Sequence, residues 1–169
     1  MLALLDFSDA ALAGNLLDPN KPKRRVIGVD IEIRKHNRIA IEEHPMSSRI
    51  EMFEGSSISA DTINAVTSQI KSTDRVMVCL DSMHTHEHVI KELNAYAPLV
   101  TKGCYCVVFD TFVEMMPHGF FSERPWDVGN NPMTAVQDWL REHPEFEIDT
   151  DIDAKLSVSA APKGWLKRR

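Results

Sequence analysis

Three carboxylates and three imidazoles stand where they could do chemistry. Asp30, Asp81 and Asp110 directly follow the apolar runs Arg24-Arg-Val-Ile-Gly-Val29, Arg75-Val-Met-Val-Cys-Leu80 and Tyr105-Cys-Val-Val-Phe109. His84, His86 and His88 lie between the second acid and the third run. Carboxylates accept hydrogen bonds from hydroxyls and ligate hard cations, and imidazoles exchange protons near neutral pH. If the runs are neighbouring parallel strands, their acids gather at the carboxyl edge of the sheet, where open α/β folds hold ligands.

The elements that must position these groups can be read from periodicity and punctuation. Residues 1–16 show a helical pattern with Leu2, Leu4, Leu5, Ala10, Leu12 and Leu16 on one face, followed by a loop through Asp18-Pro-Asn-Lys-Pro22. A strand is expected over 25–29 and a helix over 33–43, closed by His44-Pro45 because the residue before proline avoids helical backbone angles. Arg49-Ile-Glu-Met-Phe53 alternates as a strand, and Gly55-Ser-Ser57 turns into a helix capped by Ser59 and running to about Lys71. Strand 75–80, helix 86–96 and strand 104–109 form a βαβ unit. Residues 111–131 are long and irregular, as a lid or binding loop would be. A helix opens at Pro132 and runs to about His143, and residues 146–148 and 156–160 look like a closing pair of strands. Strands alternating with helices give an α/β class with a mainly parallel sheet.

Composition narrows the function. A chain of 169 residues with 43% hydrophobic side chains fits a single domain over 1–169. The net charge of −6 argues against nucleic acid as a partner, since phosphate neutralisation needs a basic face. The basic runs Lys21-Pro-Lys-Arg-Arg25 and Lys167-Arg-Arg169 read as solvated flanks. No stretch approaches the roughly 20 apolar residues of a membrane span. The start Met-Leu-Ala-Leu-Leu-Asp6 has no basic region before its apolar residues and is interrupted by acids, unlike a secretory signal. Cys79, Cys104 and Cys106 lie in or beside apolar runs, without the spacing of a disulfide framework or a zinc site, which points to a reducing cytoplasm.

Several segments together resemble a known family. They are Val-Ile-Gly-Val-Asp30, Glu54-Gly-Ser-Ser57, Leu80-Asp-Ser-Met-His-Thr-His-Glu-His88, Gly103-Cys-Tyr-Cys-Val-Val-Phe-Asp-Thr111, Gly129-Asn-Asn-Pro132 and Ala161-Pro-Lys-Gly-Trp-Leu-Lys-Arg168. In order and spacing the chain is similar to the cephalosporin hydroxylase and rhamnosyl O-methyltransferase family, a branch of the S-adenosylmethionine-dependent methyltransferases with a Rossmann-like sheet. The resemblance implies O-methyl transfer to a sugar or lipid-linked hydroxyl, with S-adenosylmethionine as cofactor and room for a magnesium ion. It implies that Asp30 binds the cofactor ribose and that Gly55, Ser56 and Ser57 approach the adenine. Asp81 and Asp110 would hold the metal, and His84 would be the base that takes the acceptor's proton, with Asp81 beside it in catalysis. One departure stands out: a Glu-Asp pair of the family pattern is here Phe109-Asp110, one carboxylate fewer.

Each role has a plainer alternative. Asp30 also reads as a solvated strand-end acid or helix cap, and Gly55-Ser-Ser57 as a simple strand-to-helix turn. His86 and His88 read best as polar residues at the start of a helix, exposed to water. Asn130, Asn131 and Trp126 fit an acceptor pocket, and Asn131-Pro132 equally fits a helix start. An iron hydroxylase using Asp81, His84 and His88 is a second function, and a non-catalytic fragment a third.

The family's first strand and glycine-rich loop have no counterpart, since the seven glycines are scattered singly. The expectation is a methyltransferase-like domain truncated at its N-terminus, with catalysis depending on the missing segment being supplied. A sheet with such a gap would rearrange or borrow a strand from a second copy, so a homo-oligomer is expected as well.

Overall fold

The computed structural model describes residues 24–169. The helix and loop expected over residues 1–22 lie outside the described residues. Contacts divide the chain into two compact units, one ending at Val66 and the other spanning Thr67–Arg169.

In the first unit, β1 (Val26–Asp30) leads through α1 (Lys35–Glu42) to β2 (Ile50–Glu54), and β1 pairs with β2 in parallel from Val26↔Ile50 to Asp30↔Glu54. The strands are half-buried, with both terminal acids exposed. Helix α2 (Ala60–Ser68) follows. Ser59 caps it as expected, its hydroxyl accepting from the Thr62 amide at 3.3 Å.

The second unit holds a four-stranded sheet in the order β3-β4-β6-β5. Strand β3 (Val78–Leu80), helix α3 (His86–Tyr96) and β4 (Tyr105–Val108) make the expected βαβ unit, with β3 and β4 parallel. Its core is built by Leu80, Val89, Leu93, Val100, Cys106, Val107, Val108, Val136, Trp139 and Leu166, each at most 6% exposed. Helix α4 (Pro132–Trp139) opens at the proline, β5 covers Phe146–Ile148, and α5 (Thr150–Leu156) and β6 (Trp165–Arg168) complete the unit.

Two expectations fail in this half. The four-stranded sheet is mixed rather than mainly parallel, because β4 pairs with β6 and β6 with β5 in antiparallel fashion. The strand expected over 156–160 is absent. Asp149 caps α5, accepting from the Asp151 and Ile152 amides at 3.2 and 3.4 Å, and the helix runs into Leu156. Val158, whose alternation with Leu156 suggested a strand, is 91% exposed. The chain returns instead at Trp165–Arg168, where Leu166 enters the core and Gly164 makes a close approach to β4. Within the described residues, no helix is long and apolar enough to cross a membrane.

Candidate functional site

Parallel pairing of β3 with β4, Leu80 opposite Val108, brings two strand ends side by side. The Phe109 amide donates to the Leu80 carbonyl at 2.9 Å and pins them together. Asp81 follows directly on one strand and Asp110 two residues on along the other. Asp110 adopts the left-handed conformation, φ 55° and ψ 23°, and from there the chain enters a 3-10 helix, Thr111–Met115. Aspartate tolerates that conformation better than most residues, and such strain is commonest at functional sites.

His84 joins the two acids. Its Nδ1 lies 3.0 Å from Asp110 Oδ2, and its Nε2 lies 3.5 Å from Asp81 Oδ1. One ligand atom from each of Asp81, His84 and Asp110 falls within 4.8 Å of the others. The His84 side chain is 15% exposed, whereas that of Asp81 is 63% exposed. Burial raises the Asp110 carboxyl above the usual carboxylate range; His84 opposes the rise and Asp81 adds to it.

The two carboxylate oxygens suit a hard divalent cation, and the exposure of Asp81 leaves room for the waters such an ion retains. The donor set therefore fits magnesium, with Asp81 and Asp110 as the residues that would hold it. The shorter Nδ1 contact orients the imidazole and leaves Nε2, on its longer contact, as the nitrogen able to accept a proton.

The long segment after Asp110 is tied to itself. Glu114 Oε2 accepts from the Gly129 amide at 2.8 Å and from Asn131 Nδ2, and Asp127 Oδ2 accepts from the Gly119 amide at 2.7 Å. Its Trp126 ring lies 4.7 Å from the His84 ring, centroid to centroid, and the Arg124 guanidinium lies 5.4 Å from the centre of that indole. Trp126 is thus part of the wall around His84.

Asn131 resolves toward the plainer role. Fully buried, it caps α4 by accepting from the Met133 and Thr134 amides at 2.9 and 3.3 Å, and its amide donates to Glu114 and to the Asp127 carbonyl. All four of its hydrogen-bonding positions are used. Asn131→Ala should lower stability by about 2–4 kcal/mol, from the lost cap and the donors taken from Glu114 and Asp127, a change read by thermal unfolding. Asn130 caps differently, its Oδ1 accepting from the His86 amide at the start of α3 at 3.0 Å.

His86 and His88 are not simply solvated. His86 Nδ1 lies 2.9 Å from Thr134 Oγ1, with the side chain 31% exposed. His88 is 17% exposed, and its Nε2 lies 3.6 Å from Glu92 Oε1. His88 therefore faces along α3 and is not part of the Asp81, His84 and Asp110 group, so the set named for an iron centre is not assembled among the described residues. Two buried or half-buried cysteines stay thiols: burial pushes Cys79 up to about 11 and Cys106 higher still.

In the first unit, Asp30 and Gly55 meet at one strand edge, the Gly55 amide donating to the Asp30 carbonyl at 2.8 Å. Gly55 has φ 151°, and a Cβ there would lie 2.8 Å from Thr62 Oγ1, which accounts for glycine after β2. Asp30 is exposed, and its Oδ1 accepts from the Glu32 amide at 3.0 Å in a local turn. Ser56 accepts from the Ser59 amide at 3.0 Å in the same turn as Ser57. The edge is thus open at Asp30 and tight at Gly55.

Comparison with known proteins adds to this geometry. The family model described as Rhamnosyl O-methyltransferase/CmcI matches residues 7–169. Rhamnosyl O-methyltransferase of Mycobacterium tuberculosis (strain ATCC 25618 / H37Rv) is 29% identical over 118 residues, 65% of this chain and 45% of its own length. The protein of the same name from Mycobacterium leprae (strain TN) is 28% identical over 117 residues, 66% of this chain and 48% of its own. The chain spans about half the length of the curated relatives it matches. Among solved structures, MycE methyltransferase from the mycinamycin biosynthetic pathway, in complex with Mg and SAH, overlaps 85% of this chain and 36% of its own at 16% identity, with a TM-score of 0.49.

Proposed function

Because the chain belongs to the Rhamnosyl O-methyltransferase/CmcI family, we propose that it transfers a methyl group from S-adenosylmethionine to a sugar hydroxyl with the help of a divalent cation. The convergence of Asp81, His84 and Asp110 on one point carries this reading. Methyl transfer to oxygen asks mainly for alignment and for removal of one proton. A bound magnesium ion would supply the positive charge that draws the acceptor oxygen into place and acidifies its hydroxyl.

The chain's own residues do the rest. Asp81 and Asp110 would hold the cation, and Asp110 keeps the His84 ring in register through Nδ1. His84 Nε2 takes the hydroxyl proton as the oxygen–methyl bond forms and the sulfur–methyl bond breaks, leaving S-adenosylhomocysteine. Trp126 shields this imidazole from water and offers an aromatic face to the acceptor sugar. In the first unit, Asp30 accepts from the ribose hydroxyls, and the Gly55-Ser56-Ser57 turn lets the backbone come close to the adenine.

The test is transfer of a labelled methyl group from S-adenosylmethionine to a rhamnoside, with and without magnesium. Label is expected in the sugar only with the cation, and His84→Ala should cut the rate about 100-fold or more, in the range of a general base. No transfer, together with no calorimetric binding of S-adenosylhomocysteine, would overturn the proposal.

A further inference from the structure

Glu92 is 2% exposed, a rare position for an ionisable side chain. It lies on α3 and faces the interior of the second unit. Its Oε1 accepts from Ser82 Oγ at 2.7 Å and lies 3.6 Å from His88 Nε2. Its Oε2 is buried with no hydrogen-bond partner among the described residues. A carboxylate held this way disfavours folding, and an apolar side chain of similar size would pack there at lower cost. Packing alone gives no reason for an acid at this position.

The identity of its partner supplies a reason. Asp81, Ser82 and Met83 are all exposed. Of these three, Ser82 is the residue with a side-chain hydrogen bond into the interior among the described residues, and that bond ends on Glu92. Ser82 directly follows Asp81 and stands two residues before His84. A short stretch that must aim two side chains at a third group needs an anchor between them, and a hydrogen bond to a buried carboxylate is stronger than one to a neutral acceptor.

We propose that Glu92 is a positioning residue. Through Ser82 Oγ it holds the Asp81–His84 stretch so that the carboxylate of Asp81 and the imidazole of His84 converge with Asp110. Glu92 itself touches neither cation nor acceptor. The inference rests on the cation-assisted reading of the cluster and extends it to a residue outside the cluster.

Ser82→Ala, Glu92→Met and Glu92→Gln in the full chain test this, with Mn2+ as the probe of the site. Ser82→Ala and Glu92→Met should each weaken Mn2+ binding by about 10–100-fold, the usual effect of losing a group that orients a ligand. The melting temperature of Glu92→Met should be unchanged or higher, which separates loss of positioning from loss of fold, whereas Ser82→Ala should melt lower because it takes a donor from the buried carboxylate. Glu92→Gln, whose neutral amide oxygen still accepts from Ser82 but more weakly, should fall between the wild type and Glu92→Met. In the metal-free protein, the amide resonances of residues 81–85 should shift or broaden in Ser82→Ala and Glu92→Met, and less in Glu92→Gln.

Wild-type Mn2+ affinity in Ser82→Ala and Glu92→Met would overturn the positioning role. If the wild type itself binds no Mn2+ that Asp81→Asn removes, the cation reading is what fails. The metal-free resonances then decide the role alone, sustaining it if they move and overturning it if they do not.

Discussion

Asp110→Asn is expected to abolish the rise in melting temperature that millimolar magnesium gives the wild type, while leaving the metal-free protein at neutral pH at least as stable. A ligand that binds only the folded state stabilises it by RT ln(1 + L/Kd), L being its free concentration, so weaker binding means a smaller rise. Losing one of two carboxylate ligands should weaken binding by more than about 100-fold, since even groups that only orient a ligand are worth about 10–100-fold. Asparagine suits the left-handed backbone at φ 55°, so the variant keeps the turn into the 3-10 helix.

The pH dependence gives an independent check. Burial raises the Asp110 carboxyl, so its contribution to stability is complete below the unfolded-state carboxylate pKa and is lost as pH rises through the raised folded value. Without metal, wild-type stability should therefore decline relative to Asp110→Asn from about pH 4 upward. Parallel pH profiles for the two proteins, or an undiminished magnesium response in the variant, would remove Asp110 from the site.

Gly164→Ala is expected to destabilise the second unit by about 3 kcal/mol or more, lowering the melting temperature by roughly 10 °C. A Cβ at Gly164 would lie 2.1 Å from the Val108 carbonyl oxygen and 3.2 Å from Ala161 Cβ. The same glycine carbonyl accepts from the Val108 amide at 2.9 Å, so neither backbone can move aside without breaking the junction that ends β4 just before Asp110. Gly119→Ala is the contrast. Its φ of 81° strains an alanine, but nothing lies within 4 Å of the added carbon, so the cost should be only about 1–2 kcal/mol. Circular-dichroism melts of the two variants separate close approach from backbone strain. Equal melting points would show that the contact at Gly164 relaxes freely.

Asp110→Asn and Gly164→Ala both act at the end of β4, where sequence and tertiary structure contribute differently. The apolar runs before Asp30, Asp81 and Asp110 were legible because buried parallel strands need continuous hydrophobic residues, and punctuation at Gly103 and Pro132 marked their neighbours. The motif order was legible too, and the family match over residues 7–169 bears out the resemblance it suggested. The reversal at the end of the chain was not. Leu156 to Ala160 alternates as a strand should, but the Asp149 cap recruits its beginning into a helix, and a short return then sets β6 antiparallel beside β4. Local alternation is a weak signal when capping and core packing at Leu166 compete with it.

The amino-acid order by itself determined which residue types stand at the strand ends, because strand propensity and turn chemistry act over a few neighbours. Only the tertiary structure decided which of them meet. His84 turns toward Asp110 and away from His88, Trp126 comes back across a long loop to cover it, and Glu92 is buried behind Ser82. Those contacts join residues from 10 to 42 positions apart by way of a strand register, a left-handed turn and a capped helix. Pairings of that kind depend on how the elements pack, and sequence separation carries no trace of it.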